Sequence, residues 1–105
     1  MEQLKIVLST FPTHESAETF AKTIVEERLA ACVNIVPGLT SVYKWDGKLN
    51  AESEVLVIIK TSESKIVALE LRVKQLHSYQ LPEFVVLEVN KVSAAYGAWV
   101  LENIR

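Results

Sequence analysis

The chain has 105 residues, half of them hydrophobic and 23% charged, with a formal net charge of -2. That is about one domain's worth of sequence with material for a real core, here taken as a single domain over residues 1–105. The mild negative charge disfavours nucleic-acid binding through an overall field. One cysteine, Cys32, cannot form an internal disulfide.

Leu4 to Ser9 reads as a first strand, broken by Phe11-Pro12-Thr13. Thr13 is placed to cap a helix whose first turns carry Glu15 and Glu18, acids suited to the positive end of the helix dipole. Ala17, Phe20, Ala21, Ile24 and Val25 then form one apolar stripe that fades near Arg28-Leu29. A second strand starts about Ala31, is interrupted by a bulge or bend at Pro37-Gly38, and continues from Leu39 to Trp45. Asp46-Gly47 signals a tight hairpin. The third strand returns from Lys48 to Thr61.

Thr61-Ser62 is expected to cap a second helix, with Ile66, Leu69, Val73 and Leu76 at helical spacing. His77 to Pro82 is the loop out, Phe84 to Val89 the fourth strand, and Ser93 opens a final helix through about Asn103. Tyr96 and Trp99 share a face of that helix, expected to pack on the sheet. The order β-α-β-β-α-β plus a C-terminal helix is the α+β, ferredoxin-like split βαβ arrangement: a four-stranded antiparallel sheet with a long hairpin between strands two and three.

Two features point to self-assembly. The strands are near-continuous apolar runs, as in Val55 to Ile59 and Phe84 to Leu87, yet only two helices lie between strands to cover them. One sheet face is therefore left wet unless another copy covers it. The hairpin from Leu39 to Trp45 adds roughly 23 Å to the strand before Pro37, and the two together outrun helices of roughly 22 Å. It carries Tyr43 and Trp45 on one side, and both are expected at an interface between copies.

Chemical signatures are sparse. The three glycines form no phosphate-binding fingerprint, and no G-x-S-x-G elbow or C-x-x-C occurs. No enzyme reaction can be named, and the chain is read as non-enzymatic. His77, Cys32 and Glu83 offer N, S and O donors that a soft or borderline metal ion can use. The core strands carry aliphatics where RNA-stacking aromatics would be needed. The N-terminus shows no signal-peptide pattern and no apolar run is long enough to span a membrane, so the expected location is cytoplasmic.

Several ordered stretches together resemble the CutA family of divalent-cation tolerance proteins. They are Arg28-Leu29-Ala30-Ala31-Cys32-Val33-Asn34, Ser41 through Lys48 with its Tyr43-Lys44-Trp45-Asp46-Gly47, Glu54 through Thr61, His77 through Glu83, and Tyr96 with Trp99. The resemblance implies a ferredoxin-like subunit in a tight homotrimer, similar in architecture to PII signalling proteins, and a role in copper and other divalent-metal tolerance. Carried over residue by residue, it implies a cleft between subunits drawing on Cys32, Trp45, Glu54, Lys60, Tyr79 and Glu83. A second reading makes that cleft a small-molecule sensor for an anion or nucleotide. Lys60 and Arg28 are then the anion partners and Trp45 the stacking surface.

Overall fold

The structure, a computed structural model, describes residues 2–105. Its elements in chain order are β1 (Leu4–Phe11), α1 (His14–Glu26), β2 (Cys32–Trp45), β3 (Lys48–Ser62), α2 (Ile66–Leu76), β4 (Val85–Glu88) and α3 (Ala94–Asn103). One antiparallel sheet holds the strands in the order β2-β3-β1-β4, so the expected ferredoxin-like split βαβ topology is the one observed.

Alternation along the strands sorts side chains onto two faces. Val7 and Phe11 of β1 share a face with Val55, Val57 and Ile59 of β3, and α1 and α2 close over it with Phe20, Ile24, Leu69 and Val73. Ile24, Ile59, Leu69 and Val7 are all fully buried there, each worth about 1.5–3 kcal/mol relative to exposure. The opposite face carries Leu4, Ile6 and Leu8 of β1, Leu56 and Ile58 of β3, and Val85 and Leu87 of β4. Helix α3 covers only its Leu4 end, seating Val100 and Ile104 against Leu4 and Ala31. Beyond α3, Ile6, Leu8, Leu56 and Ile58 are half-buried, while Val36, Val85 and Leu87 stay exposed.

Local chemistry explains the element ends. Thr13 Oγ1 accepts the Ser16 N–H, and Ser16 Oγ receives the Thr13 N–H in return, a reciprocal capping box for α1. At its other end, Leu29 N–H bonds Ile24 C=O and Arg28 N–H bonds Val25 C=O, the Schellman pair. The left-handed position in that motif, normally glycine, is Arg28 at φ 61°. Asp46 and Gly47 both take positive φ, as a type I′ hairpin turn requires.

Four expectations are revised. Strand β1 runs two residues past Ser9, because Phe11 is a core residue paired with Val55. Thr61 and Ser62 do not cap α2: the Thr61 hydroxyl donates to Leu29 C=O at 2.7 Å, and a 3₁₀ turn over Glu63–Lys65 precedes the helix at Ile66. Leu76 lies at the helix end and is exposed, so the stripe on α2 stops at Val73. Finally, α3 packs through Gly97, Val100 and Ile104, leaving Tyr96 and Trp99 stacked on each other and exposed.

Candidate functional site

Strand β3 pairs with β1 only from Val55 onward, so Lys48–Glu54 pairs with β2 alone and overhangs the body of the domain. Where the overhang begins, β2 gains one residue: Val36 pairs with Leu56, but Leu39 with Glu54. Pro37 has no N–H to lose from a ladder, and Gly38 takes φ +80° at no steric cost. Because side-chain facing has a period of two, this single extra residue inverts the ribbon. Ser41, Tyr43 and Trp45 thereby join the face of Glu52, Glu54 and Leu56; without the bulge they would continue the helix-covered face of Val33 and Ile35.

The loop after α2 reaches this face from the other side of the sheet. His77 stacks on Phe11 of the helix-covered face with ring centroids 4.2 Å apart. It is buried, its Nε2 lies 2.6 Å from Thr10 C=O, and its Nδ1 accepts the Tyr79 N–H at 3.1 Å. Nε2 thus carries the proton it donates, and neither ring nitrogen keeps a free lone pair. The loop then rounds the end of β1, and the Tyr79 hydroxyl donates to Glu54 Oε2 at 2.7 Å.

The result is a cavity of about 880 Å³ between the hairpin and the 79–83 loop. Tyr43, Trp45 and Tyr79 give it aromatic surface, and its ionisable lining otherwise consists of Glu52, Glu54 and Glu83. None of the residues lining it is basic. Crowded negative charge and burial show in the titration of its members. Burial raises the Tyr79 phenol above its usual range, reinforced by the bond to Glu54 and that carboxylate's charge. Tyr43 is raised by partial burial and then by Glu52 and Glu54. Glu83 is raised by burial and by the Glu54 charge.

The residues singled out in the sequence fall into separate groups. Trp45, Glu54, Tyr79 and Glu83 come together in this cavity. Cys32 and Lys60 pair with each other across β2 and β3 on the same face, but six residues along β3 from Glu54, roughly 20 Å away. The Lys60 ammonium is held by Asn34 Oδ1. Arg28 is in neither group: its guanidinium donates to the Arg105 carbonyl at 2.9 Å.

The ligand set of His77, Cys32 and Glu83 is therefore not assembled within one subunit. His77 is spent on the loop, and Cys32 sits at the far end of the face. Among the described residues no three His, Cys, Asp or Glu side chains are grouped to hold a metal ion. Conversely, Glu52 and Asn50 line the cavity unanticipated. Their signal was the period-two polar series Asn50, Glu52, Glu54, in which Asn50 and Glu52 stand opposite Tyr43 and Ser41.

A shallower groove of about 730 Å³ runs between α1 and the outer edge of β2, with Val33 and Ile35 as its floor. Among the described residues, no helix is long and apolar enough to cross a membrane.

Comparison with known proteins gives one consistent result. The family model for CutA1 divalent ion tolerance protein matches residues 5–103. The divalent-cation tolerance protein CutA of Thermus thermophilus is 48% identical over 94% of this chain and 96% of its own length. A chloroplastic CutA of Arabidopsis thaliana is 43% identical over 95% of this chain, which spans 55% of that longer protein. Among solved structures, CutA1 from Oryza sativa superposes with a TM-score of 0.96 at 41% identity, covering 99% of this chain and 95% of that one. A CutA from Archaeoglobus fulgidus described as periplasmic gives 0.94 at 33% identity, covering 97% and 99%. Matching sequence over nearly its whole length and matching backbone throughout, this chain belongs to the CutA1 divalent ion tolerance family.

Proposed function

We propose that this protein acts in divalent-cation tolerance as a homotrimer, without catalysing a reaction, and that the Glu54–Tyr79 cleft is its cation-accepting site. The observation that carries this reading is the cleft's lining: three carboxylates, three aromatic rings and no basic side chain. Such a surface attracts cations and repels anions. The anion-sensor alternative loses its support in the subunit, because Lys60 and Arg28 are engaged elsewhere. Carboxylate oxygens suit hard divalent ions better than a soft copper site.

Support for assembly comes from the half-wet sheet face, where Val36, Val85 and Leu87 are exposed beside Ile6, Leu8, Leu56 and Ile58. The two ends of this face differ, one carrying Cys32 and Lys60, the other Glu54 and Glu83. Unlike ends suit a head-to-tail contact, which makes a closed ring when the rotation between copies closes, as it does for three copies at 120°. In such a ring Cys32 and Lys60 of one subunit reach the rim of the next subunit's cleft, which is the shared cleft expected from the family resemblance.

Light scattering combined with equilibrium dialysis against Mn²⁺, Mg²⁺ and Cu²⁺ tests both halves. The expected outcome is a trimeric mass and saturable sub-millimolar binding that weakens in Glu54→Gln and Glu83→Gln. A stable folded monomer, or no saturable binding of any of the three ions, refutes the corresponding half.

A further inference from the structure

We infer that His77 is a proton-operated latch on the loop at residues 78–83. With one ring proton it holds the loop closed against the hairpin; with two it releases the loop and parts Tyr79 from Glu54. The device acts on the loop whatever the neighbouring cleft contains.

Little besides the His77 ring holds this loop. Among the described residues only two hydrogen bonds reach residues 78–83, and both involve Tyr79. Its N–H donates to His77 Nδ1 at 3.1 Å, and its hydroxyl donates to Glu54 Oε2 at 2.7 Å. Packing adds little, since Ser78, Gln80, Leu81 and Glu83 are all exposed. A segment with so few buried contacts opens at far less cost than the sheet beside it. Both ends of the loop are fixed: the His77 N–H bonds Val73 C=O at 2.9 Å, and Val85 enters the ladder opposite Leu8. Release is therefore confined to the loop.

The ring's chemistry gives the latch its sign. Nε2–H is spent on the Thr10 carbonyl, so Nδ1 keeps the lone pair that accepts the Tyr79 N–H. A second proton goes to Nδ1 and sets donor against donor. It also puts a charge on a buried ring stacked on Phe11. Opening the loop removes both conflicts, so acid shifts the loop towards release. The ring's neighbours on β1 are Thr10 and Phe11, with Phe20 of α1 against Phe11, and none of these titrates. From the loop come the Tyr79 phenol, its ring centroid 4.6 Å from that of His77, and Glu83; from β3 comes Glu54 through its bond to Tyr79. Towards the end of α2, Arg72 is paired with Glu27 and Lys74 with Glu70.

Amide exchange of the full chain at one fixed subunit concentration, corrected for the intrinsic pH dependence of exchange, tests the latch. The window is about pH 7.5 to 5.5, where an imidazole in water changes charge. Protection over residues 78–83 is expected to fall about tenfold across it, while β1, β3 and α1 keep theirs. In the same samples the NMR signals of the His77 ring should shift in step with that fall. His14→Gln, which removes the other, exposed histidine, is expected to keep the fall, as are Glu83→Gln and Tyr79→Phe. His77→Phe is expected to abolish it, leaving the loop weakly protected and level across the window. The inference is overturned by unchanged loop protection in the parent, by a fall shared with the whole sheet, or by one out of step with the His77 ring. A fall that survives His77→Phe, or is lost in Glu83→Gln or Tyr79→Phe, overturns it equally.

Discussion

Replacing His77 by Phe separates what its ring does by stacking from what its nitrogens do. Phe keeps the aromatic plane 4.2 Å from Phe11 but supplies neither the donor to Thr10 C=O nor the acceptor for the Tyr79 N–H. Strand β4 accompanies β1 only as far as Leu8, so His77 serves the Thr10 carbonyl beyond the end of that ladder. Thr10 is buried, and leaving its carbonyl unpaired costs about 1–3 kcal/mol; the half-exposed Tyr79 amide adds about 1 kcal/mol. The variant is therefore expected to lose about 2–4 kcal/mol. His77→Ala also forfeits the stack and opens a cavity, for about 2 kcal/mol more. Urea unfolding measures both at one fixed subunit concentration, since assembly makes stability concentration-dependent. Amide exchange over residues 77–83 shows whether the loop loosens locally. If His77→Phe stays within about 0.5 kcal/mol of the parent with loop protection unchanged, the two bonds do not anchor the loop and the reasoning fails.

Further outcomes follow from other parts of the fold. Leu8→Asp puts a carboxylate in the middle of the half-covered sheet face, where burial against another copy costs several kcal/mol; light scattering should show monomers with native circular dichroism, and an unchanged mass counts against assembly through this face. Arg28→Gly removes a non-glycine residue from φ 61° and should stabilise by up to about 1 kcal/mol, less the exposed bond to the Arg105 carbonyl; a clear loss of stability shows that bond to matter more than the strain. Glu83 has its folded-state titration raised above the ordinary carboxylate value, so the fold favours its protonated form. Its contribution is fully present below the unfolded value and is lost as pH rises through the folded one. The stability of the parent relative to Glu83→Gln should therefore fall from acid pH towards neutrality; a relative stability that rises over that range contradicts the assignment.

The fold was legible because its signals are local. The Thr13 cap and the Asp46-Gly47 turn each act within a few residues and stand where the sequence places them; the α1 stripe does so from Ala17 to Ile24, while Val25, counted in it from the sequence, is exposed. Errors arose where a side chain had a distant competitor. Thr61 looks like a cap by composition, but its hydroxyl bonds Leu29, far back in the chain. Tyr96 and Trp99 look like packing residues by hydrophobicity, yet Gly97, Val100 and Ile104 fit the sheet face more closely.

The candidate site was legible as a set of residue types but not as a partition. Trp45, Glu54, Tyr79 and Glu83 line one cavity, whereas within one subunit Cys32, Lys60 and Arg28 lie elsewhere. Hydrophobic period and turn chemistry are properties of neighbours along the chain, and they alone determined that four strands and three helices form in this order. Which face the hairpin presents depends on register, and one residue at Pro37-Gly38 reverses it for Tyr43 and Trp45. Whether His77 is a ligand or an anchor depends on what its ring nitrogens meet across the sheet. Only the packed chain, which brings Thr10 and Tyr79 to that ring from either side, decided that it is an anchor.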